Sequence, residues 1–425
     1  MSRTSEGRVS VLIPCGRKMK SYACMRSLNR RGIHTIVASE YERDPHFSSR
    51  YCSERAHLPA PPSDLSGYRD ALLELARRPD VKTIIPVREC DVYLFAKYEA
   101  EFEPHVSLVT PDLETLGKGH DRLQLAREAS RAGVPHAETR LLADVDEWNA
   151  DAVVKSRYNI LTSDYLDSYP TDGVEEVKNV TFLPAGVEPN ASALRAEMKH
   201  DPIVQEFIPQ ADKHLYGALW DDGEPLATYQ HRQIRQNSWV GGGGVYRESA
   251  YSPTVEEHAY DLLSELEWSG FACIEYLQDE RTGEWKFLEL NPRIWQSLPE
   301  AVRAGVDFPY YYWLRATGSP ERFDSSYETG VACHNAYGEL AHLLSIRRDE
   351  SPFIEPPSFG RTLWEVASSC VTNPRFEYIR LDDPQFFFSA ARETFSSGIT
   401  RSRQFSTDNI EPRSTASTDG GTGNR

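Results

Sequence analysis

The sequence predicts a protein of mixed α/β and α+β class, in which a doubly wound parallel sheet precedes units built from antiparallel strands. Near the N-terminus, short β-branched apolar runs at 9–14, 34–39 and 81–87 alternate with segments of helical periodicity. This alternation is typical of a parallel sheet with helices on its faces. From about residue 153 the apolar runs are joined by turns such as Asp221-Asp222-Gly223, which indicate antiparallel hairpins.

Length and composition argue against several classes of protein. A chain of 425 residues predicts roughly two to four globular units. It has no run of about 18 apolar residues that would span a membrane, and no signal peptide is recognisable, so we expect a cytoplasmic protein. The net charge of −17 disfavours non-specific nucleic-acid binding.

Cysteine usage and the charge balance add two expectations. The seven cysteines are odd in number and form no CxxC pair, which argues for reduced thiols and against a disulfide framework or a structural zinc site. Excess Asp and Glu with few Lys resembles proteins of salt-loving prokaryotes, although an ordinary acidic composition explains it as well.

The elements follow in order along the chain. The turn after the first strand, "PCGRKMKS", lacks the GxGxxG pattern, so a nicotinamide site is not predicted. An amphipathic helix begins near residue 120 and ends at Gly133 and Pro135. Further helices are predicted at 254–268 and around the aromatic run 308–313.

The two strands "FACIEYL" and "FLELNPR", joined by the turn "DERTGE", carry the sharpest chemical signal. Residues two apart in a strand share a face, so Glu289, Asn291 and Arg293 line one side. Glu275 on the preceding strand would converge with Glu289 across the hairpin. Two close carboxylates repel unless a cation lies between them, and Glu, Glu and Asn oxygens suit Mg²⁺ bound to a polyphosphate. The alternative is a salt bridge between Glu289 and Arg293 at the sheet edge.

Two upstream segments are consistent with a nucleotide site. "AVVKS" ends an apolar strand in Lys155, a point charge suited to a phosphate. "PIVQEFIP", at 202–209, predicts a strand running into a loop whose backbone groups could meet an adenine edge. Taken alone, a solvated lysine and a plain core strand explain these segments as well.

A stretch rich in arginine and glycine lies between these segments and the paired strands. Arg232 and Arg235 precede four consecutive glycines, Gly241 to Gly244. An arginine fork binds a carboxylate in a bidentate manner, and glycines let the backbone approach a ligand closely. We therefore expect Arg235 to bind the acyl substrate or phosphoryl oxygens, with a surface hairpin tip as the alternative.

The order of these features resembles the ATP-grasp superfamily, which includes biotin carboxylase, D-alanine–D-alanine ligase and many carboxylate–amine ligases. The resemblance spans roughly residues 9–318 and is most specific over 270–309. It implies that Mg²⁺, or Mn²⁺ as an alternative, is held by Glu275, Glu289 and Asn291, and that Arg293 faces phosphate or the reacting carboxylate. It also implies that Lys155 binds the phosphates of ATP. The residues expected to receive adenine are Gln205, Glu206, Phe207 and Ile208.

Two features depart from the family pattern. The second lysine of the family, in an Asp–Lys pair that opens a helix, reads here as Asp121–Arg122, and the nearby Lys118 is the expected substitute. The glycine-rich lid loop expected after Lys155 is replaced by a segment, 156–179, whose one glycine is Gly173.

The resemblance also implies where the domain boundaries lie. It implies a pre-ATP-grasp α/β domain at 1–118, a small lid subdomain at 119–210 and a metal- and ATP-binding subdomain at 211–320. A C-terminal α/β extension is predicted at 321–400. The last segment, 401–425, is polar and predicted to be disordered.

The function implied is an ATP- and Mg²⁺-dependent ligase that activates a carboxylate as an acyl phosphate for attack by an amine. Two alternatives stay open: a ligase with a thiol or hydroxyl acceptor, and a non-catalytic ATP-binding regulatory protein, which the missing lid glycines favour. The expected partners are a small-molecule carboxylate and an amine, with no nucleic acid and no membrane. Relatives in the superfamily often dimerise, which suggests a homodimer.

Overall fold

A computed structural model describes residues 7–177, 179–319, 321 and 323–396 of the chain. The segment predicted to be disordered, 401–425, lies outside these residues. No helix within the described ranges is both long and apolar enough to cross a membrane.

The N-terminal unit contains a parallel sheet, as the alternation of strands and helices predicts. Its strands are β1 (Ser10–Pro14), β2 (His34–Ser39), β3 (Glu54–His57) and β4 (Val81–Ile84). They lie in the order β3-β2-β1-β4, and each neighbouring pair is parallel. The sequence runs at 9–14, 34–39 and 81–87 correspond to β1, β2 and β4, whereas the edge strand β3 has no apolar run that predicts it. Every residue of β1 is buried, as expected of a parallel strand covered on both faces.

Helices cover this sheet and connect it to the next unit. They are α1 (Ser21–Asn29), α2 (Leu65–Ala76), α3 (Glu89–Lys97), α4 (Glu99–Phe102) and α5 (Leu113–His120). Asp64 caps α2 and Asp112 caps α5, each by accepting from a backbone N–H of the first turn.

The second unit is a small antiparallel sheet with two helices. Its strands are β5 (Thr139–Leu141), β6 (Ala152–Lys155), β9 (Val180–Leu183) and β10 (Ile203–Glu206), in the order β5-β10-β6-β9. A short hairpin of β7 (Ile160–Leu161) and β8 (Glu175–Glu176) lies apart from this sheet. The helices are α6 (Arg122–Arg131) and α7 (Ala191–Met198). Helix α6 ends just before Gly133, whose φ of 72° suits a glycine stop, so the predicted helix end is confirmed.

The third unit is a large antiparallel sheet. Its strands are β11 (Gln210–Asp221), β12 (Glu224–Ser238), β13 (Gly241–Ser249), β14 (Gly270–Asp279), β15 (Trp285–Asn291) and β16 (Ala332–His334). They lie in the order β15-β14-β11-β12-β13-β16. The helices beside it are α8 (Pro253–Glu265), α9 (Leu298–Ala304) and α10 (Phe308–Ala316). The predicted helices at 254–268 and 308–313 and the predicted hairpin of β14 and β15 are confirmed.

The segment predicted as a C-terminal extension completes the large sheet. Strand β16 falls inside 321–400 and pairs with β13, so within the described residues this segment forms no separate sheet. Its helices are α11 (Ala336–Ser345), α12 (Phe359–Thr372) and α13 (Pro384–Ser396), which are joined by non-helical segments. The unit boundaries drawn from the sequence stay predictions.

The C-terminal helix returns to the N-terminal unit. Phe386 of α13 stacks on Tyr22 of α1, with ring centroids 3.9 Å apart. Asp383, just before α13, accepts hydrogen bonds from the Tyr22 hydroxyl at 3.2 Å and from Ser49. The last described element therefore packs on the first unit.

Apolar cores join the first and third units. One core contains both Leu12 of β1 and Ile274 of β14, and a second contains both Val11 and Phe271. The small sheet has a core of its own, which includes Val154, Leu183 and Met198. The first and large sheets thus form one body, and the small sheet packs as a unit beside it.

Candidate active site

A cavity of about 820 Å³ lies between the small sheet and the large sheet. The small sheet contributes Lys155 from β6 and Gln205 from β10, and the large sheet contributes Lys213, Glu275 and Glu289. Apart from Lys118 and Arg235, the predicted site residues all line this cavity. They are Lys155, Gln205, Glu206, Phe207, Ile208, Glu275, Glu289, Asn291 and Arg293.

The strands that carry the two predicted carboxylates pair in the large sheet. Glu275 on β14 and Glu289 on β15 are direct cross-strand partners. The register shifts immediately after Glu275, and such bulges commonly re-aim side chains beside active sites. The Asn291 side-chain amide donates to Glu289 Oε1 at 3.0 Å, and its carbonyl oxygen accepts from Arg293 Nη2 at 3.0 Å.

Cations surround the carboxylate pair. Lys213 Nζ lies 2.7 Å from Glu275 Oε2, and Arg122 Nη2 lies 3.3 Å from Glu289 Oε2. The salt bridge between Glu289 and Arg293 that the sequence left open does not form, because Arg293 Nε pairs with Glu89 Oε1 at 2.9 Å. With Lys155 in the same wall, three cations surround the two carboxylates, an arrangement that suits phosphate groups at this end of the cavity.

The surroundings of Glu289 and Lys155 shift the pKa of each group. Burial tends to raise the pKa of Glu289, but the positive charges of Arg122 and Lys155 and the hydrogen bond from Asn291 hold this pKa well below its usual range. Glu289 is therefore ionised, the state a metal ligand requires. Burial lowers the pKa of Lys155 to about 8, although the Glu289 carboxylate acts in the opposite direction. A buried ammonium of this kind gains from a phosphate beside it.

The donor set fits Mg²⁺. Glu275 and Glu289 offer carboxylate oxygens and Asn291 offers an amide oxygen, the hard ligands that this ion prefers. Three protein oxygens also leave coordination positions for phosphate oxygens and water, as is usual for Mg²⁺.

The predicted adenine segment lines the cavity, but some of its polar groups already form hydrogen bonds within the protein. Glu206 Oε1 accepts from Lys286 Nζ at 2.5 Å, and Gln205 Nε2 donates to Thr139 Oγ1 at 2.9 Å. The backbone N–H groups of Glu206 and Phe207 donate to Glu138 and Asp151. Recognition of a base edge here therefore depends on the remaining backbone groups of residues 205–208.

An aromatic cluster that no sequence pattern predicts lies beside this segment. Phe207 packs against Phe353 with centroids 4.1 Å apart and planes at 31°. Phe182 of β9 meets both rings edge-on. Phe353 comes from the segment between α11 and α12, so the predicted extension helps to form the wall of the cavity. Flat aromatic walls suit a nucleobase.

The structure corrects the expectation for Lys118. Its Nζ lies 3.4 Å from Glu114 on the outside of α5, and it is not among the described residues that line the cavity. Arg122, the first residue of α6, lines the cavity instead, where it reaches Glu289 and donates to the Ser156 carbonyl at 3.0 Å. The arginine of the Asp121–Arg122 pair thus occupies the place that was expected of Lys118.

The structure also corrects the expectation for Arg235. This arginine does bind a carboxylate in a bidentate manner, but the carboxylate is that of Glu339 on α11. It also donates to Ser369 of α12 and lies over the Tyr246 ring. Arg235 is not among the described residues that line the cavity, and its side chain is buried between β12 and two helices.

Glycines bring backbone into the cavity beside Lys213. Gly241, Gly242 and Gly243 line the cavity. Gly241 and Gly242 have φ of 152° and 102°, a region that favours glycine, and the Gly242 carbonyl accepts from Lys213 Nζ at 3.3 Å. The glycine run therefore lines the cavity, its close approach to a ligand stays a prediction, and the lid segment contributes Ser156, Val177 and Asn179.

A second cavity, of about 420 Å³, adjoins the first. The two share a wall of five residues: Gly243, Glu275, Glu289, Asn291 and Arg293. Arg293 is fixed in this wall by Glu89, whose other carboxylate oxygen lies 3.3 Å from His120 Nε2. Glu89 and Lys213 hold Arg293 and Glu275 in place, and neither was among the predicted site residues.

Comparisons with known proteins give matches by structure alone. No protein-family model matches the chain, and no curated protein sequence matches it. An ADP complex of N5-carboxyaminoimidazole ribonucleotide synthetase superposes with a TM-score of 0.58 at 15% identity, covering 88% of this chain and 100% of that chain. The same enzyme from Thermotoga maritima gives a TM-score of 0.50 at 17% identity, covering 75% and 78% of the two chains.

A third match is the biotin carboxylase domain of 2-oxoglutarate carboxylase from Hydrogenobacter thermophilus, in complex with MgADP, ADP and bicarbonate. It superposes with a TM-score of 0.53 at 17% identity, covering 75% of this chain and 71% of that chain. At these identities the matches establish a shared fold over most of the chain.

Proposed function

From the ATP-grasp fold, which the chain shares with these structures, we propose that it is an ATP- and Mg²⁺-dependent ligase that activates a carboxylate and joins it to an amine. One observation carries the proposal. Glu275 and Glu289 face each other on paired strands, with Lys155, Lys213 and Arg122 around them, in one cavity large enough for a nucleotide. Matched structures with ADP, or with MgADP and bicarbonate, support ATP and Mg²⁺ as cofactors.

Each side chain has a role in this proposal. Glu275, Glu289 and Asn291 would hold Mg²⁺, which when bound offsets the charge of phosphate oxygens. Lys155, Lys213 and Arg122 bind the phosphates. The 205–208 segment, with Phe182 and Phe353, encloses the base.

The reaction requires alignment and charge neutralisation more than covalent participation by the protein. A substrate carboxylate oxygen attacks the γ-phosphorus of ATP, ADP leaves, and an acyl phosphate forms. The amine nitrogen then attacks the acyl carbon and phosphate leaves. The shared wall lets the acyl phosphate face both cavities, and Arg293 stands at that position.

The second cavity weighs against the regulatory alternative. A protein that senses ATP needs the nucleotide cavity but has no use for a polar pocket behind its metal ligands. A thiol or hydroxyl acceptor would fit the same fold, and the acceptor test below distinguishes it from an amine.

Other expectations extend this proposal. We take a small-molecule carboxylate and an amine as the partners, and a homodimer as the assembly. One matched structure is a biotin carboxylase domain dimer, which supports the latter. Use of Mn²⁺, adaptation to high salt and a cytoplasmic location stay predictions from the sequence.

The test is a screen for ADP release from MgATP with pairs of carboxylic acids and amines, run at low and high salt. The proposal expects ADP release that depends on one acid and is accelerated by one amine. Tight ATP binding without acid-dependent ADP release across the screen would instead support the regulatory protein.

A further inference from the structure

The second cavity contains buried polar atoms that lack hydrogen-bond partners. Among the described residues, none pairs with His231 Nδ1, Gln233 Oε1 or Trp295 Nε1. These residues are 0%, 6% and 1% exposed, and all three line the cavity. Buried polar groups are rarely left unpaired in folded proteins, so these atoms indicate a ligand that hydrogen-bonds to them.

The charged groups of this cavity, in contrast, are already paired. Arg247 donates to Glu377, and both side chains are buried. In the shared wall, Arg293 pairs with Glu89 and Lys213 pairs with Glu275. What remains for a ligand is a set of neutral groups: an imidazole, a carboxamide and an indole.

His231 is neutral because of where it lies. Burial, with the positive charge of Arg247, lowers the pKa of His231 well below its usual range. A neutral imidazole keeps one nitrogen as an acceptor. The unpaired groups of the pocket therefore carry no charge that would hold an ammonium, whereas an uncharged amine can both donate to them and accept from them.

A serine–histidine pair stands in the same cavity. Ser297 Oγ lies 2.7 Å from His231 Nε2, and both residues line the cavity. Ser297 occupies the N-cap position of α9, where a serine usually bonds to the helix backbone, yet its side chain makes no capping bond. Its hydroxyl is turned to the histidine instead.

The pair is joined to the reacting centre by a short piece of chain. Strand β15 ends at Asn291, Arg293 follows in the shared wall, and residues 294–297 continue along the second cavity to Ser297. The metal ligand and the serine are therefore placed by the same segment.

We propose that the second cavity binds the acceptor amine as its free base, held by Gln233, and that Ser297 with His231 takes up its proton. This inference depends on the proposed function. The amine nitrogen forms a bond to the acyl carbon, and the carbon–oxygen bond to phosphate breaks with its electron pair leaving on phosphate. The amine proton passes to Ser297 Oγ while the Ser297 hydroxyl proton passes to His231 Nε2. The proton then leaves His231 for the departing phosphate, which restores the pair.

The test compares two nucleophiles on the full chain. The acid is the one that gives acid-dependent ADP release in the screen. One acceptor is its amine partner from the screen, and the other is hydroxylamine, which traps acyl phosphates as hydroxamates without needing a base. Ser297→Ala and His231→Gln should each lower amide formation by about 10²-fold relative to hydroxamate formation. The double variant should be no worse than either single one, because the two residues act as a unit.

The chain offers a matched control. Ser130 Oγ lies 2.7 Å from His136 Nε2 on the surface at α6, outside both cavities. Ser130→Ala should leave the ratio of amide to hydroxamate within about twofold of the wild-type ratio. Gln233→Leu should raise the KM for the amine by about tenfold, with a smaller effect on the KM for the acid.

The outcomes separate this inference from the proposed function. If the wild-type chain forms hydroxamate but Ser297→Ala lowers amide and hydroxamate equally, or neither, the serine–histidine assignment is wrong and the ligase proposal stands. Efficient transfer to a thiol or an alcohol, with no amine used, would overturn the amine assignment. Absence of both ADP release and hydroxamate from wild type would overturn the ligase proposal, and this inference with it.

Discussion

Arg235 holds Glu339 by two hydrogen bonds, from Nε to Oε2 at 2.7 Å and from Nη2 to Oε1 at 3.1 Å. Both side chains are buried, at 9% and 5% exposure, and His334 Nδ1 lies 2.7 Å from the same carboxylate. The pair ties β12 to α11. The Arg235 guanidinium group, which was predicted to bind a substrate carboxylate, therefore binds the Glu339 carboxylate of the same chain.

Arg235→Ala is therefore expected to affect stability and not catalysis. Removing one partner of a buried ion pair leaves the other charge uncompensated, which costs about 3–5 kcal/mol of unfolding free energy. Denaturant unfolding measures this loss. Arg232→Ala is the control, since its exposed contact with Glu248 at 3.5 Å predicts a change below about 1 kcal/mol. A large loss of ATP affinity in folded Arg235→Ala would contradict this assignment.

The same pair predicts a pH dependence of stability. Burial tends to raise the pKa of Glu339, but hydrogen bonds from His334 and Arg235 hold this pKa below its usual value. A carboxylate with a lowered pKa stabilises the fold above its unfolded pKa, and this contribution disappears as the pH falls through the folded value. Below about pH 4, unfolding free energies of wild type and Glu339→Gln should converge. A constant difference between the two down to the lowest pH would argue against an ionised Glu339.

Glu289→Gln is expected to abolish the dependence of ATP binding on Mg²⁺. The substitution keeps the shape but removes a carboxylate from the paired strands, so the affinity for MgATP should fall by at least about tenfold, or ~1.4 kcal/mol. Calorimetric titrations with and without Mg²⁺ measure this. Glu284→Gln, in the exposed turn between the same strands, is the matched control and should bind as wild type does. An unchanged Mg²⁺ effect in Glu289→Gln would remove the support for the metal site.

Arg122 and Lys118 give a direct test of the corrected assignment. Arg122→Ala should weaken ATP binding by about tenfold or more, because this cation reaches the carboxylate pair. Lys118→Ala should change it by less than about twofold, because Lys118 lies on the outer side of α5. Nucleotide titrations of both variants in one buffer decide the matter, and the reverse ranking would restore Lys118 to the site.

Lys155 predicts how ATP binding varies with pH. Its pKa of about 8 means that the free protein loses this charge as the pH rises above that value. Phosphate favours the ammonium form, so binding above pH 8 requires uptake of a proton and the affinity falls, by at most about tenfold per pH unit. Dissociation constants measured from pH 7 to pH 9.5 test this. Lys155→Arg stays charged throughout and should show a much flatter profile.

Local periodicity was enough to predict much of the fold. The strands β1, β2 and β4 and the hairpin of β14 and β15 are short apolar runs whose pairing follows from spacing and turn chemistry. The pairing of Glu275 and Glu289, the proposed metal ligands, could be predicted for the same reason, since they lie on adjacent strands of one hairpin. These contacts join residues that are close in sequence, and the alternation of apolar and polar residues along each strand predicts them.

Arg235 escaped such reasoning because β12 is irregular at that point. In a regular strand, Arg235 would share a face with Gln233, which lines the second cavity. The register against β13 shifts between Gln233 and Arg235 and again after Arg235. Each shift changes which face the following side chains occupy. No residue pattern predicts these irregularities. Because of them, the Arg235 side chain faces the helices α11 and α12.

The other contacts that were not predicted join residues distant in sequence. Glu89 meets Arg293, Lys213 meets Glu275, and Phe353 meets Phe207 only after the units have packed together. Lys118 and Arg122 lie on either side of the break between α5 and α6, where the change of helix direction decides which one enters the cavity. Spacing along one helix cannot foresee that outcome.

The return of α13 to α1 has a consequence for protein engineering. A shortened version that stops after α10 would strip the aromatic face of Tyr22 of its cover and remove the edge strand β16 and the Phe353 ring together. Such a truncation would expose apolar surface on α1 and would also remove part of the wall of the larger cavity. Transfer of the site onto another scaffold therefore requires the stretch from β1 through α13 to be moved as one piece.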